Sequence, residues 1–92
     1  MRLEIVLSNQ FKRDLKTAKK RGYDFSLLNA VVEQLANRKP LPEKNRDHAL
    51  TGDYRGFREC HIQPDWLLIY RAEEEKLVLF LFHTGTHADL FD

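Results

Sequence analysis

Three apolar segments in the C-terminal half, joined by turns of only a few residues, limit the possible folds of this chain more than any other feature. The segments cover residues 54–62, 66–71 and 76–83, with Gln63-Pro64-Asp65 in the first turn and Glu73-Glu74-Glu75 in the second. Turns this short leave no room for a crossover helix, so we expect antiparallel hairpins. The last two segments are almost entirely apolar, which predicts central, covered strands.

The N-terminal half predicts one strand and two amphipathic helices. Residues 3–7 have the composition of a short strand, and Ser8 or Asn9 can cap the helix that follows. A second helix is expected to begin at Asp24 or Ser26, with its apolar residues on one face. Because the link between the two helices is short, we expect an antiparallel helical hairpin.

These elements predict an α+β fold in the order βααβββ with a small C-terminal helical turn. A loop opened by Pro40 and Pro42 is expected to run to about Gly52, and Thr86 can cap the final turn through Phe91. The helix pair should pack on one face of the sheet and leave the other partly open. A chain of 92 residues has room for one hydrophobic core, so residues 1–92 are expected to form a single domain.

The sequence also bears on where such a protein works. No apolar run reaches the ~18 residues that a membrane helix needs, and Glu4 and Ser8 interrupt any signal-peptide core at the start. The single cysteine, Cys60, cannot form an internal disulfide, so nothing points to an oxidising compartment. We therefore expect a cytoplasmic protein.

Positive charge is clustered although the net charge is only +1. Residues 1–21 carry seven Lys and Arg against two acids, and residues 38–58 carry six against three. Clustered charge of this kind can follow a phosphate backbone, although a solvated helix face is the alternative. The candidate cations that face RNA or phosphate are Lys12, Lys16, Lys19 and Lys20 in the first helix, and Arg46, Arg55 and Arg58 further on.

Four polar residues occupy loops or strand ends, where functional sites tend to lie. They are His48, His61, Asp65 and His87, and hairpin pairing can bring together those in the C-terminal half. Taken singly, each has an ordinary alternative as a solvated histidine or a turn aspartate. Three histidines with one carboxylate can serve acid–base chemistry, and zinc binding remains the alternative by ligand type.

Geometry excludes two more specific kinds of site, a cysteine–histidine pair and a helical zinc motif. Cys60 and His61 are adjacent in a strand, so their side chains should point to opposite faces and cannot form a nucleophile–base pair. His83 and His87 have the i, i+4 spacing of a helical zinc motif, but no Glu lies between them and Thr84-Gly85-Thr86 is not a helical sequence. We therefore expect catalysis without a metal and without any cofactor.

The C-terminal half contains two long motifs. One runs from Asp47-His48 through residues 54–60 into H-x-x-P-D-W-x-L-I-Y at residues 61–70, and the other is T-G-T-H-x-D-L-F at residues 84–91. On these motifs the chain resembles the YafQ branch of the RelE/ParE toxins. The resemblance extends over essentially the whole chain, including the strand–helix–helix opening.

The resemblance implies a type II toxin–antitoxin toxin that cleaves messenger RNA at the ribosome. It implies an antitoxin partner, commonly with a ribbon–helix–helix dimer as its DNA-binding part, and contact with operator DNA only through that complex. It also implies that Phe91 matches an aromatic residue near the site, and that the catalytic positions are those of His48, His61, Asp65 and His87. One departure is His83, where arginine is common; this histidine is expected to contact phosphate only when protonated.

The chemistry of RNA cleavage fits the same residues. The 2′-hydroxyl is the internal nucleophile, so an enzyme needs a base, an acid for the departing 5′-oxygen, and positive charge near the phosphorane. The products are then a 2′,3′-cyclic phosphate and a 5′-hydroxyl. We favour His48 as base and His87 as acid, with Asp65 orienting an imidazole. A toxin that binds a protein target such as gyrase, or a plain RNA-binding module, are the alternative classes.

Overall fold

The computed structural model describes residues 1–91. Its regular elements, in chain order, are β1 (Glu4–Leu7), α1 (Asn9–Lys20), α2 (Phe25–Ala36), β2 (His48–Ala49), β3 (Arg58–Gln63), β4 (Trp66–Glu73), β5 (Val78–Gly85) and α3 (His87–Phe91). Single turns of 3-10 helix lie at Glu43–Asn45 and Gly52–Tyr54. Within the described residues, no helix has the length and apolar character needed to cross a membrane.

The helix caps agree with the sequence prediction. The side chain of Ser8 accepts a hydrogen bond from the backbone N–H of Phe11 at the start of α1, and Asp24 accepts one from Ser26 at the start of α2. Each bond satisfies a donor that the first turn of a helix leaves free. The predicted βααβββ order and the final helical turn are confirmed, and β2 adds one short strand before the last three.

The five strands form one mixed sheet in the order β1-β5-β4-β3-β2. The pairs β3–β4 and β4–β5 are antiparallel, as the short turns require. β1 pairs in parallel with β5, a contact that the local sequence did not predict because the helical hairpin and three strands separate the two segments. The apolar strands β4 and β5 lie inside the sheet, which confirms their predicted central position.

The two faces of the sheet are covered differently. On one face, here called the helix face, α1 and α2 pack against the sheet around Phe11, Leu28, Val32, Trp66, Leu68, Tyr70, Leu79 and Leu81. The other, here called the open face, carries Leu67 and Ile69. They pack against the buried Leu90 of α3 and the partly buried Leu50, Tyr54, Phe57 and Phe82. Successive residues of β4 therefore alternate between the two faces. The predicted one-sided helical layer is confirmed.

The strands differ from the prediction in several places, among them β4, which runs through Glu73, and β5, which starts at Val78. β3 starts at Arg58, because residues 52–54 form a 3-10 turn and Gly56 has a φ of +94°, a value that an extended strand does not adopt. The expected loop up to Gly52 contains β2, which pairs with β3. β5 continues through Gly85, since Leu68 and Leu67 pair with its last two residues.

Candidate functional site

A buried carboxylate lies between two of the predicted histidines. Glu59 is only 5% exposed, and its Oε1 is 3.5 Å from His48 Nε2 and 3.9 Å from His61 Nε2. Its Oε2 is buried and has no hydrogen-bond donor within residues 1–91. A carboxylate is rarely buried without a partner, and the groups that can pair with this one are the two imidazoles in their protonated form.

Strand pairing explains why these three side chains meet. His48 in β2 lies directly opposite Glu59 in β3, and His61 is two residues further along the same strand. Residues two apart share a face of a sheet, so Glu59 and His61 both point to the open face. Glu59 was not among the predicted site residues, although an acid two residues before a candidate histidine in a strand is a usable signal.

Both imidazoles are held in one tautomer by backbone carbonyls. His48 Nδ1 lies 2.6 Å from the carbonyl oxygen of Arg46, and His61 Nδ1 lies 3.2 Å from that of Pro64. A carbonyl oxygen only accepts, so each Nδ1 carries the hydrogen and each neutral ring keeps its lone pair on Nε2. Both Nε2 atoms therefore face Glu59 and can accept or return a proton.

The backbone at Arg46 helps to orient His48. Arg46 has a φ of +46°, in the left-handed region, at the point where the 3-10 turn Glu43–Asn45 ends. This conformation costs a non-glycine residue about 1–2 kcal/mol. The buried Asn45 donates to the carbonyl of His61, 2.7 Å away, and so joins this turn to β3.

His87 and Asp65 meet through the backbone. The N–H of His87, the first residue of α3, donates to Asp65 Oδ1 at 3.0 Å. The carboxylate of Asp65 was predicted to orient an imidazole, and it instead binds the main chain of the residue that carries one. The imidazole of His87 lies 5.0 Å from the half-exposed ring of Phe91, centroid to centroid.

The group formed by His48, Glu59 and His61 lies on the same side of the sheet as His87. His61 lies opposite Leu67, and Leu67 opposite Gly85, two residues before His87. Two strand spacings of about 4.8 Å separate the backbones of His61 and Gly85 by about 10 Å. That gap is wide enough for a phosphodiester between acid–base groups on either side.

His83 occupies the same cross-strand row but has a partner of its own. It lies opposite Ile69, which in turn lies opposite Glu59. Its Nδ1 donates to Asp14 Oδ2 at 2.5 Å, and the same oxygen accepts the backbone N–H of Thr84. α1 thus anchors this histidine, and any phosphate contact is left to its Nε2.

The predicted arginines have different surroundings. Arg46 and Arg55 are exposed, and neither forms an ion pair within residues 1–91. Arg58 lies opposite Tyr70 on the helix face, and both contact Asp47. Burial and the hydrogen bond to Asp47 raise the pKa of the Tyr70 hydroxyl. The structure therefore does not bring Arg58 to the histidines, because adjacent strand residues point to opposite faces.

The predicted basic face of α1 is exposed to solvent. Its apolar residues, including the buried Phe11 and Ala18, face the sheet. The lysines on the other side have no ion-pair partner in the described part of the chain; they are Lys12, Lys16, Lys19 and Lys20. This placement leaves their charge free to face a phosphate backbone.

Cys60 is separated from the site, as the strand argument required. It is fully buried on the helix face, and burial raises the pKa of its thiol. A thiol that stays protonated is a poor nucleophile. Residues 1–91 also contain no group of three or more His, Cys, Asp or Glu side chains arranged to hold a metal ion.

The site has two imidazoles of defined tautomer on one side of the gap and the imidazole of His87 on the other. It also has a buried carboxylate that can stabilise an imidazolium and the aromatic ring of Phe91 beside His87. These are the parts required to move a proton from one oxygen to another at a phosphodiester.

Comparison with known proteins supports a specific assignment. A family model described as "Bacterial toxin of type II toxin-antitoxin system, YafQ" matches residues 3–92. The mRNA interferase toxin YafQ of Escherichia coli strain K12 is 43% identical over 89 residues, which cover 96% of this chain and 95% of that protein. A putative toxin YafQ of Haemophilus influenzae is 44% identical over 72 residues, 75% of this chain and 71% of the relative.

Solved structures agree over nearly the full length. A metal-bound toxin from Helicobacter pylori has a TM-score of 0.91 at 45% identity, covering 97% of this chain and 99% of that one. The toxin in the E. coli DinJ-YafQ toxin-antitoxin complex has a TM-score of 0.90 at 39% identity, with all of both chains covered.

Proposed function

The chain belongs to the YafQ family of bacterial type II toxin–antitoxin toxins, and we propose that it stops translation as an mRNA interferase that cuts messenger RNA on the ribosome. One observation carries the proposal: Glu59 is buried between the Nε2 atoms of His48 and His61, on the open face that also carries His87. This set of groups suits transfer of a proton from the 2′-hydroxyl of RNA to the departing 5′-oxygen.

His48 is the proposed base. Its Nδ1–H is already bonded to the Arg46 carbonyl, so only Nε2 is free to take the proton of the 2′-hydroxyl. Glu59 Oε1 lies 3.5 Å from this same nitrogen and stabilises the charge of the imidazolium that forms. A protonated His61, whose Nε2 lies 3.9 Å from the same oxygen, can form an ion pair with this carboxylate.

His87 is the proposed acid. It begins α3, where Asp65 holds its backbone and the ring lies against Phe91. Protonating the 5′-oxygen completes the reaction, leaving a 2′,3′-cyclic phosphate on one fragment and a 5′-hydroxyl on the other. Arg46, Arg55 and a protonated His83 are the proposed sources of positive charge near the phosphorane. No step requires a metal ion or another cofactor.

Incubating the purified protein with programmed ribosomes and mapping the RNA ends tests the function. We expect cuts in ribosome-bound messenger RNA with 2′,3′-cyclic phosphate and 5′-hydroxyl ends. Protein treated alone with chelator and then freed of it should cut equally well, and a loss that zinc restores would contradict the metal-free mechanism. Binding without cleavage would indicate an RNA-binding module, and intact RNA with inhibited gyrase a protein-directed toxin.

The proposal extends to partners and location. We take residues 1–92 as one toxin domain that an antitoxin neutralises in the cytoplasm, where messenger RNA and ribosomes are found. A complex of YafQ with DinJ is among the matching structures, which supports an antitoxin partner. From the family resemblance we also propose that the antitoxin is a ribbon–helix–helix protein. The toxin would then contact operator DNA only through the complex with it.

The lysines of α1 are expected to bind RNA by charge alone. Replacing the four exposed lysines of α1 (Lys12, Lys16, Lys19 and Lys20) with glutamine should weaken ribosome binding and lower its salt slope by about 3. Single-turnover cleavage at saturation should stay within about twofold of the parent. Glutamines at Lys39 and Lys76, outside this helix, are the control. An unchanged salt slope in the quadruple variant would identify a solvated face without an RNA contact.

Asp65 is expected to act as an anchor for His87. Asp65→Asn keeps a side-chain oxygen that accepts the His87 N–H, so its cleavage rate should stay within about threefold of the parent. Asp65→Ala removes the acceptor and should slow cleavage about a hundredfold, the order of loss caused by misplacing a catalytic group. Single-turnover rates measure both. If Asn is as slow as Ala, the carboxylate charge itself is required.

A further inference from the structure

α3 is too short to be stable without tertiary contacts. It has five residues, well below the ~12 that an isolated helix needs to be even marginally stable in water. Yet it carries His87 at its first position and Phe91 at its last. The position of the proposed acid therefore depends on whatever fixes α3 to the rest of the molecule.

Asp89 is the centre of the N-terminal attachment. Its Oδ2 accepts the N–H of Thr86 at 2.9 Å, and its own N–H donates to the Thr86 hydroxyl at 3.1 Å. The two bonds form a capping box, which fixes the first turn of the helix. Gly85 makes room for this carboxylate, because a Cβ there would lie 2.7 Å from Asp89 Oδ2.

Arg21 holds this carboxylate from the end of another helix. It is the residue that caps α1, and its two terminal nitrogens lie 2.6 and 3.2 Å from the two oxygens of Asp89. Its guanidinium also lies over the ring of Tyr23, which packs 4.7 Å from the buried Trp66. The Arg21–Asp89 ion pair, here called the clasp, therefore connects α3 to the core on the helix face.

We propose that Arg21 is a positioning residue for RNA cleavage, which acts by clasping Asp89 and so holding α3 and His87 in the reactive geometry. The inference rests on the function proposed above, and assigns to Arg21 a different role from the four lysines of the same helix. Both partners are about one-third exposed, so the pair contributes little to global stability and its effect is local. Arg21 holds the pKa of Asp89 well below its usual range, so the clasp persists throughout any practical assay pH.

Arg21→Gln is expected to lower the single-turnover cleavage rate about tenfold on saturating ribosomes. The ribosome concentration at half-maximal rate and its salt slope should stay within about twofold of the parent. Arg21→Lys should recover part of the rate, because an ammonium can still pair with one carboxylate oxygen. The matched control is Arg2→Gln, which removes an exposed Arg–Glu pair at Glu33 and should leave the rate unchanged.

A double-mutant cycle shows whether Arg21 acts through Asp89. In the Asp89→Ala background, Arg21→Gln should cause no further loss of rate, since no acceptor for the guanidinium remains. Additive losses would overturn the proposal. So would a weaker salt slope with an undiminished rate at saturation, which would make Arg21 an RNA contact.

Amide hydrogen exchange provides a readout that does not depend on activity. The N–H of Leu90 donates to the Thr86 carbonyl within α3, so its exchange should quicken in Arg21→Gln while the amides of β4 stay protected. Unchanged exchange at Leu90 would show that α3 does not need the clasp. If the parent itself cuts no RNA, the proposed function fails while this measurement still reports on the clasp.

Discussion

His48→Ala should slow RNA cleavage about a thousandfold at saturating ribosomes, within the 10²–10⁴-fold that general acid–base groups contribute. The reason is that the variant loses the only Nε2 whose ring is locked by the Arg46 carbonyl and backed by Glu59. Single-turnover cleavage of end-labelled messenger RNA measures the loss.

Free imidazole provides the control for this prediction. Because the side chain of His48 is about half exposed, its removal leaves an open space and should not unfold the domain, which urea unfolding can verify. Added imidazole should then recover part of the rate, increasingly at pH values where it is unprotonated. A loss smaller than tenfold, or no rescue in a folded variant, would remove His48 from the role of base.

The prediction of the fold succeeded where local sequence determines structure. Ser8 and Asp24 cap the helices because their side chains bond the nearest free N–H groups, and such contacts span only two or three residues. The parallel pairing of β1 with β5 brings together Glu4 and Val78, and no pattern within either segment encodes that register. β2 escaped notice because two residues are too few to show alternation.

The histidines of the site could be predicted from the sequence, but the side-chain contacts between them could not. Histidines at strand ends are visible in a sequence, whereas the carboxylate that joins His48 to His61 becomes visible only when β2 pairs with β3. The contacts of Asp14 and Arg21 were likewise not predictable from the sequence. Each reaches across about seventy residues of chain, to His83 and Asp89 respectively, and a helix-face pattern cannot distinguish such partners from solvated charges.

The second large effect is expected at His87, on the opposite side of the phosphate that is cleaved. His87→Ala should also slow cleavage about a thousandfold, because the 5′-oxygen would have to leave without a proton. The decisive measurement uses an RNA in which sulfur replaces that bridging 5′-oxygen. A thiolate is a far better leaving group than an alkoxide and needs no acid. With this substrate, His87→Ala should therefore cleave within about tenfold of the parent, while His48→Ala stays slow since the 2′-hydroxyl must still lose its proton.

The two variants with the two substrates fix the direction of proton transfer. Recovery of His48→Ala in place of His87→Ala would exchange the assignments of base and acid. If sulfur rescues neither, protonation of the leaving group is not what His87 supplies, and its part would reduce to the contact with Phe91 at the rim of the site. Asp65→Ala gives an internal check, because it displaces the backbone of the same residue. If its defect lies only in placing the acid, the sulfur substrate should rescue it as fully as it rescues His87→Ala.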